Sequence, residues 1–216
     1  MKKIVLIGAS GFIGSAILKE ALDRGHKVTA VVRHPEKITV IHKNLIVKQG
    51  DVSLVNTVLT LSKGADAVIS AYNPGWKNPD IASETTRVYE AILLGVKQSG
   101  VKRFLVVGGA ASLFISPVKR LMDSGIIPDS FLPAVRALAS VYLDNLTNEK
   151  TSDWVFFSPA GNIAPGQRTG KFRLGKDDMI LDSEGKSNIS VQDYAVAMID
   201  ELEKPVHHRE RFTIGY

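Results

Sequence analysis

Two spacings of apolar residues alternate along this chain. Continuous apolar runs of strand length occur at Lys3 to Ile7, in "HKVTAVVR" from His26, in "NLIVKQGDV" from Asn44, and in "ADAVISAY" from Ala65. They recur in "KRFLVVGG" from Lys102 and "DWVFFSP" from Asp153. Runs of this kind mark strands buried on both faces of a parallel sheet. Between them the spacing shifts to three and four. Phe12, Ile13, Ile17, Leu18, Ala21 and Leu22 predict a helix that stops at Arg24-Gly25. Further helices are predicted from a cap at Asp51 or Ser53 to about Leu61, over Asp80–Ser99, over Leu132–Thr147 and over Val191–Glu203. A last strand, "RFTIGY", follows.

Strands that alternate with helices predict an α/β fold: a doubly wound parallel sheet of order 3-2-1-4-5-6 plus a C-terminal strand, with helices on both faces and right-handed crossovers. Residues 1–216 read as one domain, with a small elaboration on the substrate side at about 160–190. Two long irregular stretches, Gly108–Ser130 and Ala160–Asn188, follow strand C-termini, where ligands bind in open α/β sheets.

Composition narrows the class. No apolar run reaches the roughly 18 residues of a membrane span. Lys2 and Lys3 precede an apolar stretch as in a secretory signal, but glycines interrupt it early. The absence of cysteine removes disulfides and thiolate metal sites and accords with the cytoplasm. The net charge of +5 is scattered over Lys2/Lys3, Lys102/Arg103, Lys119/Arg120 and Arg168–Lys176. A nucleic-acid surface concentrates such charge on one face, so none is expected here; a small polyanionic cofactor accounts for the excess equally well. The five histidines show no metal spacing, and His207-His208 is expected to be exposed. Asp177-Asp178 reads as a solvated hairpin tip.

The chemistry concentrates at the first strand–helix junction. "GASGFIG" places Gly8, Gly11 and Gly14 three apart where the strand hands over to the helix. Gly8 permits a tight turn, Gly11 lets the backbone approach a pyrophosphate, and Gly14 lets the helix pack close to the strand. The free N–H groups of the helix N-terminus then face an anion, with Ser10, Phe12 and Ile13 beside the glycines.

The Gly-x-x-Gly-x-x-Gly spacing resembles the atypical and extended short-chain dehydrogenase/reductase superfamily. "VVRHPEK", "GDV", "ISAY", "VVGGAAS", "WVFFSPA" and "GKSNISVQDYAVAMIDELE" extend the resemblance over nearly the whole chain. It is nearest the small NAD(P)H-binding branch that includes NmrA-like proteins and the biliverdin reductase B/flavin reductase type. The resemblance implies a nicotinamide cofactor, with Asp51 and Val52 flanking the adenine and Ala71 and Tyr72 beside the ribose and phosphates. Pro159 and Ala160 would approach the carboxamide. Tyr72 reads equally as a pocket wall.

At the end of the second strand, where NAD sites carry an acid, this chain has Arg33, with Lys37 beyond it. A guanidinium suits a 2′-phosphate, so NADP is expected over NAD. Arg33 also reads as a solvated strand-end residue.

The superfamily's Tyr-x-x-x-Lys pair is absent. Its slot matches "LPAVR", with Leu132 for the tyrosine and Arg136 for the lysine. Tyr142 lies ten residues beyond Leu132, about 80° around and about 15 Å along the helix. Ser112 matches a serine that lies near the nicotinamide in the flavin reductase type; it reads equally as a turn cap. Ser112 and Arg136 are therefore the candidate catalytic residues. Hydride transfer to a flavin or quinone-like acceptor needs little acid catalysis, and the resemblance favours it. Tyr72, Trp76, Phe114, Met122 and Phe131 are candidates to wall the acceptor slot. Two other readings stay open: a non-catalytic NADP(H) sensor, and an epimerase or dehydratase with an unusual acid.

Overall fold

The computed structural model describes residues Met1–Tyr216. The predicted alternation folds as β1 (Lys3–Ile7), α1 (Phe12–Asp23), β2 (Lys27–Val32), β3 (Leu45–Gln49), α2 (Val55–Ser62), β4 (Ala67–Ser70), α3 (Ile81–Ser99) and β5 (Arg103–Val107). A small hairpin follows, β6 (Phe114–Ser116) with β7 (Lys119–Arg120), and then α4 (Leu132–Ser140). The chain closes with β8 (Asp153–Ser158), β9 (Asn162–Ala164), β10 (Arg173–Gly175), β11 (Asn188–Ser190), α5 (Val191–Glu203) and β12 (Glu210–Gly215).

The main sheet has order β10-β12-β8-β5-β4-β1-β2-β3. From β3 to β12 every pairing is parallel, which is the predicted order with its C-terminal strand. β10 adds an antiparallel edge. The order reverses between β1 and β4, so the ends of these strands diverge and open a crevice there.

The apolar runs are buried on both faces, as their continuity requires. Leu6, Ala30, Leu105 and Phe157 face α1 and α5, while Val5, Val31, Val106 and Phe156 face α2, α3 and α4. Phe104, Phe156, Phe157 and Phe212 are almost wholly enclosed. Each such side chain contributes about 1.5–3 kcal/mol on burial.

Three expectations change. Neither Asp51 nor Ser53 caps α2: its N-cap is Leu54, and Asp51 Oδ1 accepts instead from the Ser53 N–H at 2.9 Å. The predicted helix Leu132–Thr147 is continuous in path but changes its ladder. After α4 it widens into a π turn over Val141–Asn145 and tightens at Leu146–Asn148. There Tyr142 stacks on Phe156 with centroids 5.1 Å apart. His207 is not exposed: it stacks on Phe212 at 4.3 Å, and its Nδ1 lies 2.8 Å from the buried Glu201 carboxylate.

Residues 160–190 form a strap along the C-terminal edge. β9 pairs with β11, β10 pairs with β12, and Arg168 reaches Glu20 of α1 at 2.7 Å. No helix is long and apolar enough to cross a membrane.

Candidate functional site

The β1–α1 turn has the geometry its glycines predict. Gly8 adopts φ +80°, and a Cβ there would lie 2.4 Å from the Ala71 carbonyl oxygen. A Cβ on Gly14 would lie 2.1 Å from the Gly8 oxygen, so α1 can approach β1 only with glycine at this position. Gly11 differs. It is extended (φ −78°, ψ 171°), and a Cβ there would meet only the Gly8 oxygen, at 3.3 Å. Otherwise it would project into open space at the turn, along the path of anything seated on the helix end. No side chain caps α1 and no acid stands in its first turn. The N–H groups of Phe12, Ile13 and Gly14 therefore have no partner within the helix and favour an anion.

The turn forms one wall of a cleft of about 880 Å³ over the C-terminal ends of the central strands. Gly8, Ser10, Gly11, Phe12, Ile13, Arg33, Lys37, Val52, Ala71, Tyr72, Ser112, Pro159 and Ala160 all line it. Gly14 sits behind the turn. Asp51 lies outside the lining, and the Ser53 N–H, followed by the charges of Arg87 and Arg33, lowers its pKa. Arg136 is not in the cleft either: it is exposed, 3.5 Å from Asp123.

Charge divides the cleft. Its only charged lining residues are Arg33 and Lys37, together at the β2 end, and neither forms an ion pair. The Arg33 carbonyl accepts from Gln49 Nε2 at 3.2 Å, which fixes the backbone and leaves the guanidinium free. No carboxylate and no histidine reaches the cleft. Its one tyrosine is Tyr72, whose pKa burial pushes up to about 12; its ring stands edge-on to Tyr89.

The opposite end is apolar. Trp76 and Phe131 meet edge to face at 5.6 Å at its mouth, with Leu121, Ile127 and Leu138 behind them. Phe114 and Met122 stand outside; Phe114 lies under the Arg120 guanidinium at 5.1 Å. α4 turns Phe131, Ala134, Val135 and Leu138 to the cleft, whereas Leu132 and Arg136 lie on the neighbouring face. The expected slot is thus displaced, and no Tyr/Lys pair occupies the face that replaces it. Tyr142 lies outside the lining, between Phe156, Trp154 and the Arg211 guanidinium. Tyr142→Phe should leave any turnover within about three-fold of wild type, because no hydrogen bond of the phenol links it to the cleft.

Ser112 ends a tight turn after β5 and is 1% exposed at the cleft wall. Its Oγ accepts from Arg211 Nη1 at 2.9 Å. Asp177 is not a free hairpin tip: its Oδ1 accepts from Arg211 Nε at 3.0 Å. Sequence reasoning missed this pair. The one available signal was a charged residue, Arg211, directly before the Phe212–Ile214 stretch of β12.

Comparison with known proteins agrees with this geometry. The NAD(P)H-binding family matches residues 8–205. Bacillus subtilis YwnB, a protein of uncharacterised function, is 41% identical over 223 residues, covering 98% of this chain and 97% of YwnB. A Bacteroides thetaiotaomicron structure provisionally named an epimerase is 63% identical with a TM-score of 0.95, covering 100% of this chain and 97% of that one. A Streptococcus pneumoniae structure provisionally named an NADH-flavin reductase is 34% identical with a TM-score of 0.84, covering 100% and 99%. With its glycine turn, its crevice at the sheet reversal and a family match over most of its length, the chain belongs to the NAD(P)H-binding family.

Proposed function

We propose that this chain is an NADPH-dependent reductase that passes a hydride to a flat, conjugated acceptor, a flavin or a quinone. The carrying observation is the division of the cleft: two unpaired cations at one end, an aromatic slot at the other, and no carboxylate or histidine between them. A phosphorylated dinucleotide matches the first end and a planar ring the second. NADPH supplies the hydride and its electron pair. The acceptor takes these, with a proton from water, as it becomes the hydroquinone.

In this reading the free N–H groups of Phe12 and Ile13, with Gly11 and Ser10 beside them, hold the pyrophosphate. Arg33 and Lys37 hold the 2′-phosphate, Val52 lies against the adenine with Asp51 behind it, and Ala71 and Tyr72 border the ribose and phosphates. Pro159 and Ala160 meet the carboxamide, and Ser112 faces the reacting ring. Arg136, outside the cleft, has no part in it. The name of the S. pneumoniae relative supports the acceptor class. The absence of cysteine supports a cytoplasmic setting.

A second reading, a non-catalytic NADP(H) sensor, draws on the lack of any carboxylate or histidine in the cleft. The epimerase reading has the name of the B. thetaiotaomicron relative behind it, but that chemistry needs an acid–base group for the sugar hydroxyl. Steady-state oxidation of NADPH against FMN and a benzoquinone, together with conversion of a nucleotide sugar by the NADP⁺-loaded chain, separates the three. Turnover with FMN or quinone alone is expected. Binding without any turnover favours the sensor, and conversion of the sugar favours the epimerase.

A further inference from the structure

Arg211 lies in β12 with its side chain 1% exposed, on the sheet face that carries Tyr142. It makes three connections. Nε and Nη2 donate to Asp177 Oδ1 on the strap, and the Nε distance is 3.0 Å. Nη1 donates to both the carbonyl oxygen and the Oγ of Ser112, at 3.0 and 2.9 Å. The guanidinium carbon stands 4.7 Å over the Tyr142 ring.

A serine hydroxyl has one proton and two lone pairs. Here one lone pair is taken by a cation, and the proton has no acceptor among the protein's hydrogen bonds. Ser112 borders the cleft where the aromatic slot begins. The hydroxyl proton is thus left without a protein acceptor in a residue that borders the cleft, and the adjacent guanidinium polarises its O–H bond.

We infer that Arg211 is a positioning residue of the reductase site: it fixes Ser112 so that the hydroxyl donates a hydrogen bond to the acceptor heteroatom that gains negative charge as the hydride arrives. This inference rests on the reductase reading. No proton leaves Ser112; the hydrogen bond strengthens as charge develops, and the proton that completes the reduction comes from water. The strap sets the alignment through Asp177, which ties residues 160–190 to the chemistry without lining the ring slot.

A double-mutant cycle tests it, with Ser112→Ala, Arg211→Met, the double variant and Arg211→Lys. Losing one hydrogen bond to a developing charge should lower kcat about ten-fold in each single variant, with KM for NADPH changed less than about three-fold. The double variant should be no slower than either single one, because both remove the same interaction. Arg211→Lys, which keeps the charge and a donor, should recover most of the loss. A purely structural Arg211 would instead move kcat and KM together and add to Ser112→Ala; either of these overturns the inference. Wild type that binds FMN beside NADP⁺ without turnover contradicts the reductase reading alone. The cycle is then read in FMN affinity, from quenching of Trp76 at the cleft mouth. Non-additive weakening there supports the role of Arg211, and additive or absent weakening refutes it. Wild type that binds no acceptor overturns both.

Discussion

Gly11→Asp should abolish NADPH binding while the protein stays folded. Two features of the turn separate these outcomes. The backbone at Gly11 is extended, and its added Cβ meets one carbonyl oxygen at 3.3 Å, so an L-residue fits with little strain. The side chain projects to where the pyrophosphate must lie, and its carboxylate takes the N–H groups that the anion needs. Losing two charge-assisted hydrogen bonds of about 1.5–3 kcal/mol each corresponds to at least about 100-fold in Kd, before repulsion between the two anions is counted. Gly14→Ala supplies the contrast. Its Cβ would stand 2.1 Å from the Gly8 oxygen, in rigid backbone. It should lower stability by about 1–3 kcal/mol or more, read in urea unfolding, because α1 must move off the sheet. Gly11→Asp should shift the urea midpoint far less. A folded Gly11→Asp protein that binds NADPH as wild type does would remove the turn from the site.

Arg33→Ala should divide the two cofactors. Arg33 is one of two cations in the cleft, exposed and without a carboxylate partner, so its guanidinium is available to a phosphate. A charge-assisted contact is worth about 1.5–3 kcal/mol, and exposure places this one toward the lower end, so NADPH affinity should fall roughly 10- to 100-fold. NADH, which has a hydroxyl in place of that phosphate, should change less than about three-fold. Raising the salt concentration should erode the NADPH preference of wild type in the same sense, because an exposed phosphate contact is screened. Titration calorimetry with both cofactors reads this directly. An equal loss for both, or tighter binding of NADH by wild type, would refute the assignment.

The parts legible in the sequence are those that depend on local pattern. A strand buried on both faces is a continuous apolar run, so Arg103–Val107 and Asp153–Ser158 could be read directly, and the sheet order followed from alternation with helices. The glycine turn was legible because each glycine answers a separate steric demand at fixed spacing. Long-range pairing was not legible. β10 is three residues in a Gly-, Lys- and Asp-rich stretch and exists only because β12 offers it an edge. The Arg211–Asp177 contact spans 34 residues and the Arg211–Ser112 contact 99, and no periodicity records either. The phase of α4 escaped for a related reason. A short helix that follows a long loop, with Pro133 in its first turn, takes its rotation from packing, so Phe131 and Val135 face the cleft where Leu132 and Arg136 were expected.

The reductase claim is tested most directly by a single turnover without oxygen. The chain is loaded with one equivalent of NADPH, mixed with excess FMN, and followed by the absorbance of the dihydronicotinamide and of the flavin. The account predicts that the bound NADPH is consumed with formation of one equivalent of reduced flavin, faster than in free solution, and that Gly11→Asp loses this acceleration. NADPH that stays bound and unoxidised in the presence of FMN, and of a quinone in its place, would contradict it.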